Sequence, residues 1–271
     1  MIKEITIGQY FPGNSVIHRL DARVKIVLTI VFLVIIFMCK NFVSFLVSFV
    51  LVLLTMLLSK VPVKMYMRNI KAILPILIFT SVLNVFYVRG GSELLNWHFI
   101  HITTKGIYTA VFISLRLILL IIASSALTYT TTPTMLTDAL ERLLSPLTKL
   151  HIDVHTFAMM MTLALRFIPT LIEEIDRIMN AQKARGADLE TGSILQRAKA
   201  LVPIIVPLIV SSVKRAYELA FAMECRCYNG GEGRTRMKKM KISGRDFATM
   251  AVFAVSLAGV VILNRLFGSV M

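Results

Sequence analysis

The stretch GIYTAVFISLRLILLIIASSALTY, residues 106–129, determines the class of fold. Its 24 residues include a single charged side chain, Arg116. A helix that crosses the hydrocarbon core of a bilayer needs about 20 mostly apolar residues. We therefore predict that this stretch is a transmembrane helix. Because an arginine inside a bilayer is costly, we expect Arg116 to face protein or to reach the interface rather than to face lipid.

Four further stretches have the apolar composition of membrane-spanning helices. The first two, Val24–Met38 and Phe42–Leu58, are short, with 15 and 17 residues. Only the three residues Cys39–Asn41 separate them, which predicts a tight helical hairpin. The whole chain agrees, because 56% of its 271 residues are hydrophobic and 17% are charged, whereas a soluble domain carries roughly a quarter charged residues. We predict an all-α integral membrane protein with about five transmembrane helices. The other four are Val24–Met38, Phe42–Leu58, Ile70–Val88 and Phe247–Phe267.

The basic residues are concentrated in alternate segments of the chain. There are 30 Lys and Arg against 15 Asp and Glu, a net charge of +15. With five spans and the N-terminus in the cytoplasm, the inner segments carry 25 of the basic residues and the outer segments carry 4. This bias is the rule for cytoplasmic loops. We therefore predict a multi-pass protein of the cell membrane with a cytoplasmic N-terminus, and the charge requires no nucleic acid as a partner.

A long segment, Thr130–Asp246, separates the fourth and fifth predicted spans and holds 17 basic residues. It is predicted to contain two long helices, about Asp153–Arg185 and about Ser193–Arg226. Both are apolar but carry charges every few residues, so we expect them on the cytoplasmic side, at or beneath the membrane interface. The expected division is residues 1–129 for the N-terminal region and four spans, 130–245 for a cytoplasmic helical module, and 246–271 for the last span.

Both long helices end in the pattern Ala-x-x-x-Arg, at Arg185 and Arg226, and each is followed by a candidate helix break, at Gly186 and at Asn229–Gly230. An arginine at a helix C-terminus complements the helix dipole, an effect of about 0.3–1 kcal/mol. A planar guanidinium on a rigid helix end also suits docking into a groove lined by carboxylates on a partner. The residues alone leave both interpretations open.

Two groups of residues make the sequence resemble a known family. Gly8–Ser15 (GQYFPGNS) and His18–Lys25 (HRLDARVK) are similar to the opening signature of EcfT, the transmembrane T component of energy-coupling factor (ECF) transporters. Ala184-Arg185-Gly186 matches the first of the family's two short X-Arg-Gly motifs, and Cys225-Arg226-Cys227 occupies the place of the second. The signature residues are Pro12, Gly13, His18, Arg19, Leu20, Asp21, Arg23 and Lys25.

The resemblance implies a scaffold that transmits energy rather than an enzyme. Two ABC-type ATPase subunits would dock at Ala184–Gly186 and Cys225–Cys227, hydrolyse ATP, and drive the reorientation of a small membrane S component that binds a vitamin or another micronutrient. The chain itself would need no catalytic residue, cofactor or metal, and it would serve one S component or several interchangeable ones. Because Cys227 stands where the family has glycine, the resemblance carries over the arginine but not the glycine's role. This leaves Asn229–Gly230 as the candidate for the helix break.

Three alternatives remain open. The chain is also compatible with a T component dedicated to cobalt, nickel or biotin, because no residue identifies the transported substrate. An ordinary ABC importer permease couples to ATPases too, but usually through one cytoplasmic helix per subunit. An intramembrane metal-dependent hydrolase would need an H-E-x-x-H motif, and Ile152 occupies the position of its glutamate. The candidate residues for such a hydrolase are His151, His155, Glu173 and Glu174.

Overall fold

The computed structural model describes residues 9–88, 90, 93–97, 100–187, 193–230, 240 and 242–266. Eight α-helices contain most of these residues, so the prediction of an all-α membrane protein is confirmed. They are α1 (Ala22–Met38), α2 (Phe42–Ser59), α3 (Val63–Tyr87), α4 (Thr104–Thr130), α5 (Pro133–Leu144), α6 (Val154–Ala184), α7 (Ile194–Glu224) and α8 (Gly244–Leu266).

The connection between α3 and α4 contains a feature that the sequence analysis does not predict. A short antiparallel hairpin pairs β1 (Glu93–Trp97) with β2 (Ile100–Thr103). Its strands carry Trp, Ile and Thr, residue types that fit a pleated strand. The hairpin is too short to change the class of the fold.

The predicted spans correspond to α1, α2, α3, α4 and α8. The largest difference in boundary is at α3, which begins at Val63 rather than at the predicted Ile70. The first two turns carry Lys64 and Arg68, so a prediction based on apolar composition leaves them out of the span. Among the described residues, six helices are long and apolar enough to cross a membrane: α2, α3, α4, α6, α7 and α8. The best windows in α6 and α7 have mean hydropathies of 1.3 and 1.5, against 1.9–2.6 in the other four. The two helices predicted to be cytoplasmic are thus the least apolar of the six, and α1, with 17 residues, is shorter than all of them.

The chain divides into two compact units. One contains Leu140–Lys238, and the other contains Gln9–Ala139 together with Lys239–Met271. We call the first the helical-pair unit, because α6 and α7 pack together there, and the second the bundle unit.

In the bundle unit α4 is the central helix. It packs against α1, α2 and α3, while α8 packs against α1 and α2. The core between these helices consists of aromatic and aliphatic side chains, including Phe32, Ile36, Phe45, Phe112 and Val260. The stretch that predicts the fold class is therefore also the helix around which the bundle is built.

At one end of the bundle the α1–α2 hairpin is held by two polar side chains from other helices. Arg116 Nη2 donates to Cys39 O (3.0 Å), and the guanidinium lies 5.1 Å from the centre of the Phe112 ring. Asn264 Nδ2 donates to Met38 O (2.6 Å), and Ser44 Oγ donates to Asn264 Oδ1 (2.8 Å). Arg116 therefore faces protein, as expected, and fixes a helix terminus whose carbonyls lack intrahelical partners.

At the other end four segments meet. Phe11 N donates to Tyr129 O at the end of α4 (2.9 Å), and the Tyr129 hydroxyl donates to Met65 O in the first turn of α3 (3.1 Å). Asp21 N, just before α1, donates to Oδ1 of the buried Asp246 at the start of α8 (3.0 Å). The segments that meet here are also those for which the charge pattern predicts one common side of the membrane. We call this the basic end, since it carries Arg19, Arg23, Lys25, Lys60, Lys64, Arg68 and Arg245.

Candidate docking site

The helical-pair unit places α6 and α7 side by side in opposite directions. The contacts that join them run in opposite order along the two helices: Gln182 Nε2 to Pro203 O (3.3 Å), Arg215 Nη2 to Glu174 Oε2 (2.7 Å), and the Tyr228 hydroxyl to Met159 Sδ (3.0 Å). Each helix has 31 residues, so each is about 46 Å long at 1.5 Å per residue. Gln182 lies beside Pro203 near the end of α6, and Met159 lies beside Tyr228 just after α7, so the two C-terminal ends lie at opposite ends of the pair, about 35 Å apart.

Both helices begin with an N-cap at the predicted position. Asp153 accepts a hydrogen bond from Thr156 N (3.1 Å), and hydrogen bonds from the Thr156 hydroxyl and amide lower the pKa of the exposed Asp153 carboxyl. Ser193 caps α7 in a capping box, in which Ser193 and Gln196 each accept from the other's backbone amide. Such caps satisfy amide groups that the first turn of a helix leaves unpaired. Both helix starts are thus confirmed.

The C-terminus of α6 is closed by a Schellman motif. Gly186 N donates to Lys183 O (3.0 Å), and Ala187 N donates to Gln182 O (3.0 Å). This pair of bonds requires a left-handed residue between the helix and the following chain. Gly186 has a φ of +85° and fills that requirement. Arg185 is the residue immediately before it.

The C-terminus of α7 is closed by the same pair of hydrogen bonds. Cys227 N donates to Glu224 O (2.9 Å), and Tyr228 N donates to Met223 O (3.0 Å). Cys227 has a φ of +54° and occupies the position that Gly186 occupies in the first motif. Arg226 again precedes the left-handed residue. The two arginines therefore have the same backbone setting.

This geometry corrects one expectation of the sequence analysis. Cys227 takes over the conformational role of the family's glycine, and the helix does not depend on Asn229–Gly230 for its end. A residue with a Cβ pays about 1–2 kcal/mol in the left-handed region, and the two hydrogen bonds to otherwise unpaired carbonyls offset that cost. The hydrogen-bond pattern of the backbone therefore indicates where α7 ends better than the residue type at position 227 does.

Both predicted docking motifs are accessible. Ala184, Arg185 and Gly186 are exposed, and so are Cys225, Arg226 and Cys227. Within residues 140–187 and 193–230 neither arginine forms a side-chain hydrogen bond or an ion pair. The two guanidinium groups are therefore not used to cap carbonyls of their own helices, and their donors are available to a partner.

The N-terminal signature has a different setting, since most of it is built into the basic end. The His18 ring nitrogens lie 2.9 Å from Phe11 O and 2.6 Å from Ser15 Oγ. A Cβ at Gly13 would lie 3.0 Å from the His18 ring, which is tighter than most Cβ contacts, so a larger residue there would require the ring to shift by a few tenths of an ångström. Asp21 accepts two hydrogen bonds from the Arg23 side chain, at 3.1 and 2.7 Å.

Lys25 extends the same network to α4. It is 6% exposed, and its Nζ donates to Thr130 O (2.9 Å) and Thr131 Oγ1 (3.2 Å). Leu20 is buried nearby, whereas Pro12 and Arg19 are exposed. The signature residues therefore hold α1, α4 and α8 together within the bundle unit, whereas the arginine motifs belong to the helical-pair unit.

One contact of the helical pair was not found by sequence reasoning. Glu174 accepts from Ser211 Oγ through Oε1 and from Arg215 Nη2 through Oε2, and the Glu174 and Arg215 side chains are 17% and 28% exposed. Glu174 and Arg215 lie 41 residues apart, so no local pattern links them. The only signal was a group of charged residues in each helix, Glu173–Arg177 in α6 and Lys214–Glu218 in α7.

The residues considered for a hydrolase do not assemble into a metal site. His155 Nδ1 lies 2.8 Å from Glu141 Oε1, and Glu174 is engaged by Arg215. His151 is exposed. In the part of the chain that the structure describes, no group of three or more His, Cys, Asp or Glu is placed to hold a metal ion.

Comparisons with known proteins find a family and several relatives that match most of the chain. Residues 13–237 match the family described as CbiQ, cobalt transport protein. The chain is 49% identical over 267 residues to the energy-coupling factor transporter transmembrane protein EcfT of Clostridium kluyveri, covering 98% of both chains. It is 45% identical to the EcfT of Ruminiclostridium cellulolyticum, with 98% of this chain and 100% of the relative covered. With the EcfT of Brevibacillus brevis it shares 46% identity over 96% of this chain and 98% of the relative.

Proposed function

The chain belongs to the EcfT family of energy-coupling factor transporter transmembrane proteins, and we propose that it links two ABC-type ATPase subunits to a substrate-binding S component. As a member of this family it is a multi-pass membrane subunit of a transporter. The arginine-tipped helices are the proposed means of coupling. ATP hydrolysis is assigned to the partner subunits, because the sequence contains no G-x-x-x-x-G-K-[ST] phosphate loop.

The observation that carries this proposal is the placement of Arg185 and Arg226. Both are exposed, both precede the left-handed residue of a Schellman motif, and they lie about 35 Å apart at opposite ends of one antiparallel pair. A separation of this size lets one chain reach two separate globular subunits. A guanidinium pairs with carboxylates through two parallel hydrogen bonds, which gives docking both affinity and a defined orientation.

The orientation in the membrane follows from charge. The basic end of the bundle carries seven Lys or Arg residues, whereas four described basic residues lie near or reach the other end: Lys40, Lys105, Arg116 and Arg265. Because basic residues concentrate on the cytoplasmic side, we place the basic end and the helical pair in the cytoplasm. ABC-type ATPases act there, so this orientation is the one in which the arginines are useful.

An exposed apolar face on α7 is the proposed contact for the S component. Val202, Val206, Val213 and Tyr217 are 53%, 53%, 58% and 78% exposed, and their spacing of four or seven residues places them on one face. A continuous apolar face of this length fits an apolar membrane partner better than water. Since selectivity would reside in the S component, the same face is compatible with several such partners.

The test uses Arg185→Ala, Arg226→Ala and the double variant, reconstituted with ATPase subunits and an S component. Each change removes charge-assisted hydrogen bonds worth roughly 1.5–3 kcal/mol, so ATPase association should weaken about tenfold or more per arginine. Substrate uptake should be lost in the double variant. Arg166→Ala is the matched control, since Arg166 is an exposed arginine within α6. Normal association and uptake in the double variant would show that docking occurs elsewhere.

A second candidate is a T component dedicated to cobalt, which the match to the cobalt transport protein family favours. The two candidates differ in their partners, since a shared T component co-purifies with several S components and a dedicated one with a single kind. Identification of the small membrane proteins that co-purify with the chain distinguishes them.

A further inference from the structure

The bundle unit contains a cavity of about 230 Å³ near its basic end. Its walls come from α1, α2, α4 and α8, and fourteen of its nineteen lining residues are apolar. The deep wall includes the buried side chains of Leu28, Phe32, Val52 and Ala126. The cavity belongs to one compact unit and shares no residue with the arginine motifs.

The polar groups in the wall are already engaged by backbone carbonyls. The hydroxyl groups of Thr29, Thr55, Thr130 and Thr249 donate to carbonyls of their own helices, and Lys25 Nζ donates to Thr130 O. A buried water needs two to four polar partners, and apolar cavities stay free of water and bind apolar ligands. The lining therefore favours a hydrocarbon occupant over water.

The mouth of the cavity lies between α2 and α8. Leu54, Leu58 and Val252 line it and are 48%, 42% and 51% exposed, and the exposed Ala248 completes the rim. Because both helices are candidate membrane spans, this mouth opens towards lipid acyl chains.

The chain presents positive charge beside this mouth. Lys60 follows the last turn of α2, Arg245 lies in the first turn of α8, and both are exposed. Asp246, which follows Arg245, is turned away because its carboxylate accepts from Asp21 N and Ser243 N. Each cation lies within one turn of a mouth residue, Leu58 or Ala248.

From the cavity, its apolar mouth and the adjacent cations we infer a binding site for one anionic phospholipid. An acyl chain enters between α2 and α8 and fills the cavity, and the phosphate lies at the basic end near Lys60 and Arg245. Basic residues near a membrane surface attract anionic head groups, while the cavity selects a site on the protein rather than a general layer of lipid. The proposal does not depend on ATPase docking.

Tryptophan quenching by lipids with brominated acyl chains tests this site. The sequence has one tryptophan, Trp97, so a Trp97→Phe background with Phe253→Trp places a single reporter in the cavity wall. The full chain is reconstituted into phosphatidylcholine vesicles containing increasing fractions of brominated phosphatidylglycerol or brominated phosphatidylcholine. Half-maximal quenching should occur at a several-fold lower fraction of the anionic lipid.

Three variants separate the cavity from the charges. Lys60→Gln and Arg245→Gln should each reduce the preference for phosphatidylglycerol by about fivefold. Lys71→Gln is the control, because Lys71 is exposed on α3 and does not line the cavity. Ala126→Leu narrows the cavity and should reduce quenching by both lipids.

Two results would overturn the inference. Equal half-maximal fractions for the two lipids would mean ordinary bilayer contact without a charged site, and unchanged quenching in a folded Ala126→Leu protein would mean that no chain enters the cavity. If Ala126→Leu fails to insert, the variants at the exposed Lys60 and Arg245 still show whether the site prefers phosphatidylglycerol to phosphatidylcholine.

Discussion

At the scale of single residues, Cys227 explains how the second arginine-bearing helix ends without glycine. Its φ of +54° and the hydrogen bonds from its own amide and from Tyr228 N reproduce the setting of Gly186. The left-handed conformation is costly for a residue with a Cβ, and a glycine there would lose more freedom on folding. The stability of the end of α7 therefore depends on the strain of Cys227 in this conformation, compared with the entropy that a glycine would lose there.

We expect Cys227→Gly to make the end of α7 more stable and Gly186→Ala to make the end of α6 less stable, each by about 1 kcal/mol. A Cβ at Gly186 meets nothing within 4 Å, so the effect of alanine comes from its φ alone. The measurement is amide hydrogen exchange at Tyr228 and Ala187, which should change about fivefold in opposite directions. Asn229→Ala, just after the second motif, is the control. Unchanged exchange at Tyr228 in Cys227→Gly would mean that the cysteine is not strained.

At the scale of helices, the contact between Glu174 and the pair Ser211 and Arg215 joins α6 and α7 near their middle. Both carboxylate oxygens of Glu174 are used, and the ion pair is less than one-third exposed. Charge-assisted hydrogen bonds of this kind contribute about 1.5–3 kcal/mol. Because the pair lies between the two arginine-bearing ends, we propose that it keeps their separation constant while force passes through the helices.

This role predicts a specific effect of Glu174→Gln. ATPase association should stay near the wild-type level, because neither arginine motif is touched, while uptake per ATP hydrolysed should fall at least twofold. Reversal of the charges in a Glu174→Arg, Arg215→Glu variant should restore part of the loss. Glu173→Gln is the matched control, because only the backbone carbonyl of Glu173 accepts a described hydrogen bond, from Arg177. Equal coupling in the Glu174 and Glu173 variants would contradict a role for the pair.

At the scale of the whole molecule, the central question is which side of the membrane each end of the chain faces. The basic end gathers segments that are far apart in sequence, and the hairpin tip at Cys39–Asn41 lies at the opposite end of the bundle. Positive charge concentrates on the cytoplasmic side. We propose a cytoplasmic position for the arginine motifs by the same rule, since they lie in the long basic segment.

Native thiols provide a test of this topology. Cys225 and Cys227 are exposed, whereas Cys39 is buried. A membrane-impermeant maleimide should label the chain in inverted vesicles but not in intact cells, and Cys225→Ser with Cys227→Ser should remove that labelling. A Lys40→Cys variant should be labelled from the outside of cells. Ready labelling of Cys225 or Cys227 from outside would refute the cytoplasmic position of the motifs.

The sequence alone was sufficient for the membrane class, the starts of α6 and α7, and the positions of both arginines. Apolar length, N-caps at Asp153 and Ser193, and charge bias are local properties, and each is set by residues within a few turns of one another. Tertiary structure alone decided that the two helices run antiparallel, so that Arg185 and Arg226 lie at opposite ends.

The buried network of the basic end was also decided by the tertiary structure alone. Lys25 and Thr130 are 105 residues apart, and Asp21 and Asp246 are 225 apart, so no periodicity or spacing in the chain links them. The left-handed conformation of Cys227 could not be predicted from the sequence either. A residue type has only a conformational preference, whereas the two hydrogen bonds that end the helix impose one conformation. Contacts between distant segments are chosen by packing as the helices assemble, and that information exists only in three dimensions.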